Sequence, residues 1–174
     1  MGIAEDITAA LSAVMPDWAV VALIALLPMI EMRGAVPVAV LIFGWDLPTA
    51  LAFTGPISLV PGVLIAFYLD RLEPHLRKVG LFDRLLTRAF EWTRKKHGNE
   101  ADQQKRDRRA LLLLALLVAI PGPGTGAWTG GLVSYVFQVP KKKAAVALVL
   151  GVLGEAVAIA FFVLVAQWGI GQLP

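Results

Sequence analysis

The chain contains no cysteine, and that one absence removes disulfides, thiolate metal sites and cysteine nucleophiles together. Histidine is nearly missing: His75 and His97 are the only two, and both lie in a highly charged stretch. A buried His-rich metal site is therefore not expected, and neither a metal nor a cofactor is anticipated. Charged residues make up only 17% of the 174, against about 25% in ordinary globular domains, whereas 57% are hydrophobic. This is too much apolar surface for a disordered chain and too little charge for a soluble one. Basic residues are absent from 1–32 and from 144–174. Twelve of the 16 Lys and Arg lie in 70–109, three are Lys141, Lys142 and Lys143, and the last is Arg33. Glu5 and Asp6 stand where a secretory signal needs positive charge, so the N-terminus is not read as one. The expectation is an integral membrane protein. The net charge of +3 then reflects topology and not nucleic-acid binding.

Four apolar stretches remain: 18–45, 47–69, 110–139 and 144–166. At 1.5 Å per residue, 47–69 and 144–166 each have the length of an ordinary spanning helix. The other two are long for one span and short for two. Each is interrupted at its centre, by Pro28 to Pro37 in one and by Pro121 to Gly131 in the other. Proline removes an amide donor and glycine accepts positive φ, so both centres are expected to unwind and turn. The simplest reading is a pair of re-entrant helical hairpins, 18–45 and 110–139, each followed by a transmembrane helix. A hairpin over 110–139 also keeps the basic segment 70–109 and Lys141–Lys143 on one side, as the positive-inside rule prefers.

The fold expected is thus an all-α integral membrane protein built as an inverted repeat, with repeat 1 at 18–69 and repeat 2 at 110–166. Pro48 to Gly62 and Pro140 to Gly154 keep the same spacing within the two spans. Amphipathic interfacial helices are expected at 1–17, where Pro16 ends the apolar stripe, and within the basic cytoplasmic segment 70–109, at 76–92. His97 to Asp107 reads as a polar loop and 167–174 as a tail. Both termini are expected to be extracytoplasmic, in a multi-pass protein of the inner membrane. A homodimer is expected to cover the hairpin tips.

Only three charged side chains fall at membrane depth: Glu31, Arg33 and Glu155. Each costs roughly 2.5–3.5 kcal/mol on insertion scales, so compensation is required. A structural pair of Arg33 with Glu31 or Glu155 would supply it. The functional reading makes Glu31 and Glu155 proton-coupling residues. The hairpin tips add helix N-termini, one near Gly34 and one near Thr125 or Gly126, with Thr125 a candidate N-cap. With Arg33, these favour an anionic group, so Arg33, Gly34, Gly124, Thr125, Gly126 and Trp128 form the candidate substrate site. Trp128 also fits a packing role among small residues. Ser58, Gly62, Ala66, Ala147, Gly151 and Ala158 read as close-packing positions, and Pro56 and Pro61 as kinks in the first span.

Glu31-Met32-Arg33-Gly34-Ala35-Val36-Pro37 and Pro121-Gly122-Pro123-Gly124-Thr125-Gly126-Ala127-Trp128-Thr129-Gly130 resemble the two signatures of the small multidrug export protein family. That family is distantly similar to the DedA superfamily. The DedA resemblance implies re-entrant helices, embedded acidic and arginine residues, and proton-dependent handling of lipid-linked phosphates. It points to Glu31, Arg33 and the glycines of the second motif, which carries no basic residue of its own. The function expected is a small transporter, proton-linked, translocating an amphipathic anion such as a lipid-linked phosphate, with the bilayer and protons as partners. The alternatives are an exporter of cationic amphipathic compounds, with Glu31 and Glu155 as the binding charges, and a non-transport membrane scaffold. No nucleophile–base pair or ligand cluster is apparent, so an enzyme is not expected.

Overall fold

The computed structural model describes residues 15–28, 30–76, 100–122 and 124–170. Among them there are helices and no strands. The helices are α1 (Asp17–Leu26), α2 (Glu31–Pro37, continued by a π-helical turn Val38–Ile42), α3 (Leu47–Leu76), α4 (Glu100–Ala119), α5 (Ala127–Val136) and α6 (Lys141–Ile170). Two of them are long and apolar enough to cross a membrane: α3 over Leu47–Arg71 and α6 over Lys141–Gly169. Each contains the span expected from composition and runs beyond it at both ends or one.

The two awkward stretches are each two helices with a break. α1 ends at Leu26, and α2 begins at Glu31 with its amide donating to the Leu27 carbonyl at 3.1 Å. The break is shorter than the Pro28–Pro37 stretch suggested, and Gly34 lies inside the first turn of α2 rather than at its start. Pro37 is also helical. It has no amide to return to the residue four before it, and the ladder relaxes immediately afterwards into the π turn, closed by Phe43 N–H on the Val38 carbonyl at 3.1 Å. The second break runs only from Ile120 to Gly126, so Gly130 and Gly131 are helical. Their lack of side chain serves packing. A β-carbon on Gly131 would come within 3.0 Å of Gly62 Cα, and one on Gly62 would collide with the Ala127 carbonyl. This brings the backbones of α3 and α5 into contact, as the small residues of the first span suggested.

α4 begins at Glu100, which corrects the loop expected through Asp107. Glu, Gln, Lys, Arg and Ala in this stretch are all good helix formers, and their charge does not oppose a helix that continues into an apolar segment. The interfacial helices expected at 1–17 and 76–92 fall almost entirely outside the described residues. At the start of α3, Asp46 caps the helix by accepting the Thr49 amide at 2.9 Å. Hydrogen bonds from the Thr49 side chain and backbone hold the Asp46 carboxyl below the usual carboxylate range. At the other end of α3, Lys141 at the start of α6 pairs with Asp70 at 2.5 Å and donates to the Phe67 carbonyl at 2.9 Å.

α2 contributes fully buried positions to the core. Met32, Ala35, Val36 and Ala39 are fully buried against Val21 and Ala25 of α1, Ala50 of α3, and Leu148 and Val152 of α6. Outward-facing positions are apolar as well, including Leu64, Leu112, Val157, Phe161 and Trp168. A protein apolar on both its buried and its exposed faces is matched to a hydrocarbon surround.

Candidate functional site

The three charged residues of the apolar stretches meet at one place. Glu31 and Arg33 come from the first turn of α2, and Glu155 from midway along α6. Both glutamates are fully buried, and the Arg33 side chain is 17% exposed. Arg33 Nη2 lies 3.4 Å from Glu31 Oε2, and Arg33 Nε lies 3.7 Å from Glu155 Oε1.

The second break completes the cluster with backbone. Glu31 reaches across to α5 and accepts the amides of Ala127 at 3.2 Å and Trp128 at 3.0 Å. It thereby caps a helix 96 residues away in sequence. The first-turn donors and the positive end of the α5 dipole are satisfied by a carboxylate of the chain itself. Arg33 answers the opposite need. Its Nη1 donates to the Gly122 carbonyl and its Nη2 to the Thr125 carbonyl, with Thr125 Oγ1 at 3.5 Å from Nη1. A segment containing Pro121 and Pro123 is short of amide donors and rich in unpaired carbonyls, and an arginine offers five donors. The second motif lacks its own basic residue, and Arg33 supplies one from α2.

Two backbone features permit this. Glu31 holds a positive φ of 47°, a sparsely populated conformation for a residue with a side chain. Gly126, at φ 114°, stands where a β-carbon would fall on the Glu31 carboxylate and 2.7 Å from Arg33 Nη2. Only glycine fits there.

Glu155 differs from Glu31. Among the described residues neither of its oxygens has a hydrogen-bond partner, nor does Arg33 Nε, which faces it. A buried carboxylate with one guanidinium edge at 3.7 Å and no hydrogen bond is incompletely compensated.

The remaining candidates are placed as follows. Thr125 does not cap α5, because Gly126 occupies the cap position and makes no side-chain bond. Its hydroxyl turns back into the break, within 2.6 Å of the Ile120 carbonyl and 2.7 Å of the Gly122 carbonyl, and accepts the Gly122 amide at 2.9 Å. Gly34 sits against Ile24 and Ile30, away from the charges. Gly124 is exposed at φ 79°, with open space around it. Trp128 donates its indole N–H to the Leu26 carbonyl at 3.2 Å and so ties α5 to the end of α1. Sequence reasoning missed the carbonyls of Gly122 and Thr125 and the amides of Ala127 and Trp128. The donor deficit of a Pro-Gly-Pro-Gly run was the available signal.

Beside the cluster, Arg33 lines a cleft of about 320 Å³ whose other walls are apolar: Pro37 and Leu41 of α2, Pro121, and Ile159, Phe162, Val163 and Ala166 of α6. Arg33 thus touches both the cleft and the buried carboxylates. Among the described residues, no group of acidic or histidine side chains could hold a metal ion.

No curated protein and no solved structure matches the chain. A family model described as "Putative small multi-drug export protein" matches residues 31–168, from Glu31 at the start of α2 through the second break to near the end of α6. With its two apolar helices of membrane-spanning length, the chain is a membrane protein that belongs to this small multi-drug export family.

Proposed function

We propose that the protein is a proton-coupled exporter of amphipathic cations, with Glu155 carrying the proton. The observation behind this reading is the unequal bonding of two buried carboxylates. Glu31 accepts two amides and faces Arg33, whereas Glu155 has no hydrogen bond among the described residues. Two features that favour an anion, a helix N-terminus and an arginine, are already engaged within the chain. Glu31 covers the α5 amides, and the terminal nitrogens of Arg33 are bonded to carbonyls.

Charge counting then sets the direction of coupling. One guanidinium between two ionised carboxylates leaves the cluster at one net negative charge, and one added proton makes it neutral. A cation is favoured by the deprotonated cluster and a proton disfavours it, so the two compete. Competition at one site exposed alternately to each side gives exchange, in which inward protons drive a cation outward. The apolar cleft beside Arg33 suits the hydrophobic body of such a compound. The arrangement we adopt with this mechanism is two inverted units, 18–69 and 110–166, with re-entrant broken helices, 70–109 cytoplasmic, and both termini outside the inner membrane.

A second reading rests on Arg33 being the charged residue that lines the cleft. An amphipathic anion, such as a lipid-linked phosphate of the DedA-like kind, would bind the neutral, protonated cluster and travel with the proton. The two differ in sign. In proteoliposomes carrying an imposed pH gradient, exchange predicts that tetraphenylphosphonium moves against the proton flow and that Glu155→Gln abolishes the dependence. An alkyl phosphate moving with the protons selects the second reading. Movement of neither in response to the gradient overturns both.

A further inference from the structure

We infer that Thr125 is a positioning residue: its hydroxyl folds the second break into the carbonyl cradle that fixes the orientation of Arg33 toward Glu155. The inference rests on the proposed role of the Arg33–Glu155 pair in transport and adds a residue that determines its geometry.

Thr125 makes a closed set of bonds with Gly122. The Thr125 amide donates to the Gly122 carbonyl at 3.2 Å, and the Gly122 amide donates to Thr125 Oγ1 at 2.9 Å. The single hydroxyl proton is directed at the carbonyls of Ile120 and Gly122, at 2.6 and 2.7 Å. Gly122 lies between two prolines, so its amide is the sole main-chain donor in 121–123, and Thr125 receives it. With the loop closed in this way, the carbonyls of Gly122 and Thr125 stand side by side as acceptors for the two terminal nitrogens of Arg33. A planar guanidinium held at both ends has no remaining rotation. Its Nε edge is left facing Glu155 at 3.7 Å without a hydrogen bond, and its Nη2 faces Glu31. Among the described residues, Glu31 and Arg33 are the charged groups that face Glu155. The neighbouring positions of α3 and α4 are Gly55, against Val152, and Ala119, against Gly154. Tyr135 of α5 is about two turns beyond Ala127. Without the hydroxyl, the Gly122 amide loses its acceptor, the carbonyls part, and the guanidinium is free to turn.

The test compares Thr125→Val, which keeps the shape and loses the hydroxyl, with Thr125→Ser, which keeps the hydroxyl. Thr125→Ala serves if the valine variant does not fold. In purified full-length protein labelled with ¹⁵N-arginine, the Arg33 Nε–H resonance is identified by its loss in Arg33→Gln. We expect its hydrogen exchange, limited by opening of the loop that holds the guanidinium, to quicken by about tenfold in Thr125→Val, the equivalent of the one bond lost between the Gly122 amide and Thr125, and to stay as in wild type in Thr125→Ser. We also expect the pH of half-maximal cation transport to move in Thr125→Val and not in Thr125→Ser. An unchanged Arg33 resonance and exchange rate in the valine variant overturns the inference, whatever transport does. Transport that is independent of pH in the wild type overturns the proposed function instead, and leaves the Arg33 resonance to decide the role of Thr125.

Discussion

The two breaks contribute opposite kinds of chemistry to one cluster. The first, between α1 and α2, delivers side chains: the carboxylate of Glu31 and the guanidinium of Arg33. The second, between α4 and α5, delivers backbone: two carbonyls from Gly122 and Thr125 and two amides from Ala127 and Trp128. Each break taken alone leaves buried or half-buried polar groups unpaired, and each satisfies the other. A strained Glu31 at φ 47° and a glycine at φ 114° are what this fit requires of the chain. The same cluster holds a second contrast, because Glu155 from α6 takes no part in the exchange of bonds. The two buried carboxylates are therefore told apart by what they bond to, and the proposed proton carrier is the one without a hydrogen bond among the described residues.

Removing Glu31 should break the arrangement most severely. Glu31→Ala strips the α5 amides of their acceptor and Arg33 of one counter-charge. A loss of about 3–5 kcal/mol is expected, the scale for removing one partner of a buried pair, read as unfolding in detergent. Glu155→Gln, by contrast, removes a charge that faces Arg33 at 3.7 Å without a hydrogen bond among the described residues and leaves Arg33 paired with Glu31, so stability should stay within about 1 kcal/mol of wild type. Equal losses in the two variants would erase the distinction drawn between them. Gly126→Ala comes next. Its β-carbon falls on the Glu31 carboxylate in a backbone conformation unsuited to side chains, and a loss of about 1–3 kcal/mol is expected. Trp128→Phe keeps the ring and loses the bond to the Leu26 carbonyl, with an expected loss of about 0.5–1.5 kcal/mol.

The smallest effect lies away from the cluster, at the exposed cap of α3. The folded Asp46 carboxyl is held below its ordinary value of 3.8, so its contribution to stability is present above that value. The contribution is lost as the pH falls through the lowered folded value. Asp46→Asn should flatten this part of the acid dependence, measured as unfolding on acidification beside the wild type. An unaltered acid profile would show that the cap contributes nothing that depends on charge.

Much of this frame was legible in the residues. Spans 47–69 and 144–166 lie within α3 and α6, and both breaks sit where proline and glycine interrupt apolar runs. The three charged residues were recognisable as a set because the four apolar stretches hold no other charge. What could not be read was the pairing. Thr125 has the chemistry of an N-cap, but a carboxylate from another helix occupies that role, and nothing local to 120–131 announces it. Gly34 faces Ile24 and Ile30 because the turn of α2 sets its direction, which depends on where the helix begins. The polar stretch before the fourth helix looked like a loop because charge was weighed above helix propensity. Glu100 through Asp107 are helical because the apolar helix that follows extends backward through good helix formers.

The most direct measurement is proton release on binding of tetraphenylphosphonium to the purified protein in weakly buffered solution. The cation and the proton compete for one uncompensated carboxylate, so wild type should release a proton on binding, and Glu155→Gln should release none. Release that persists in Glu155→Gln would contradict the assignment of the proton to the α6 carboxylate.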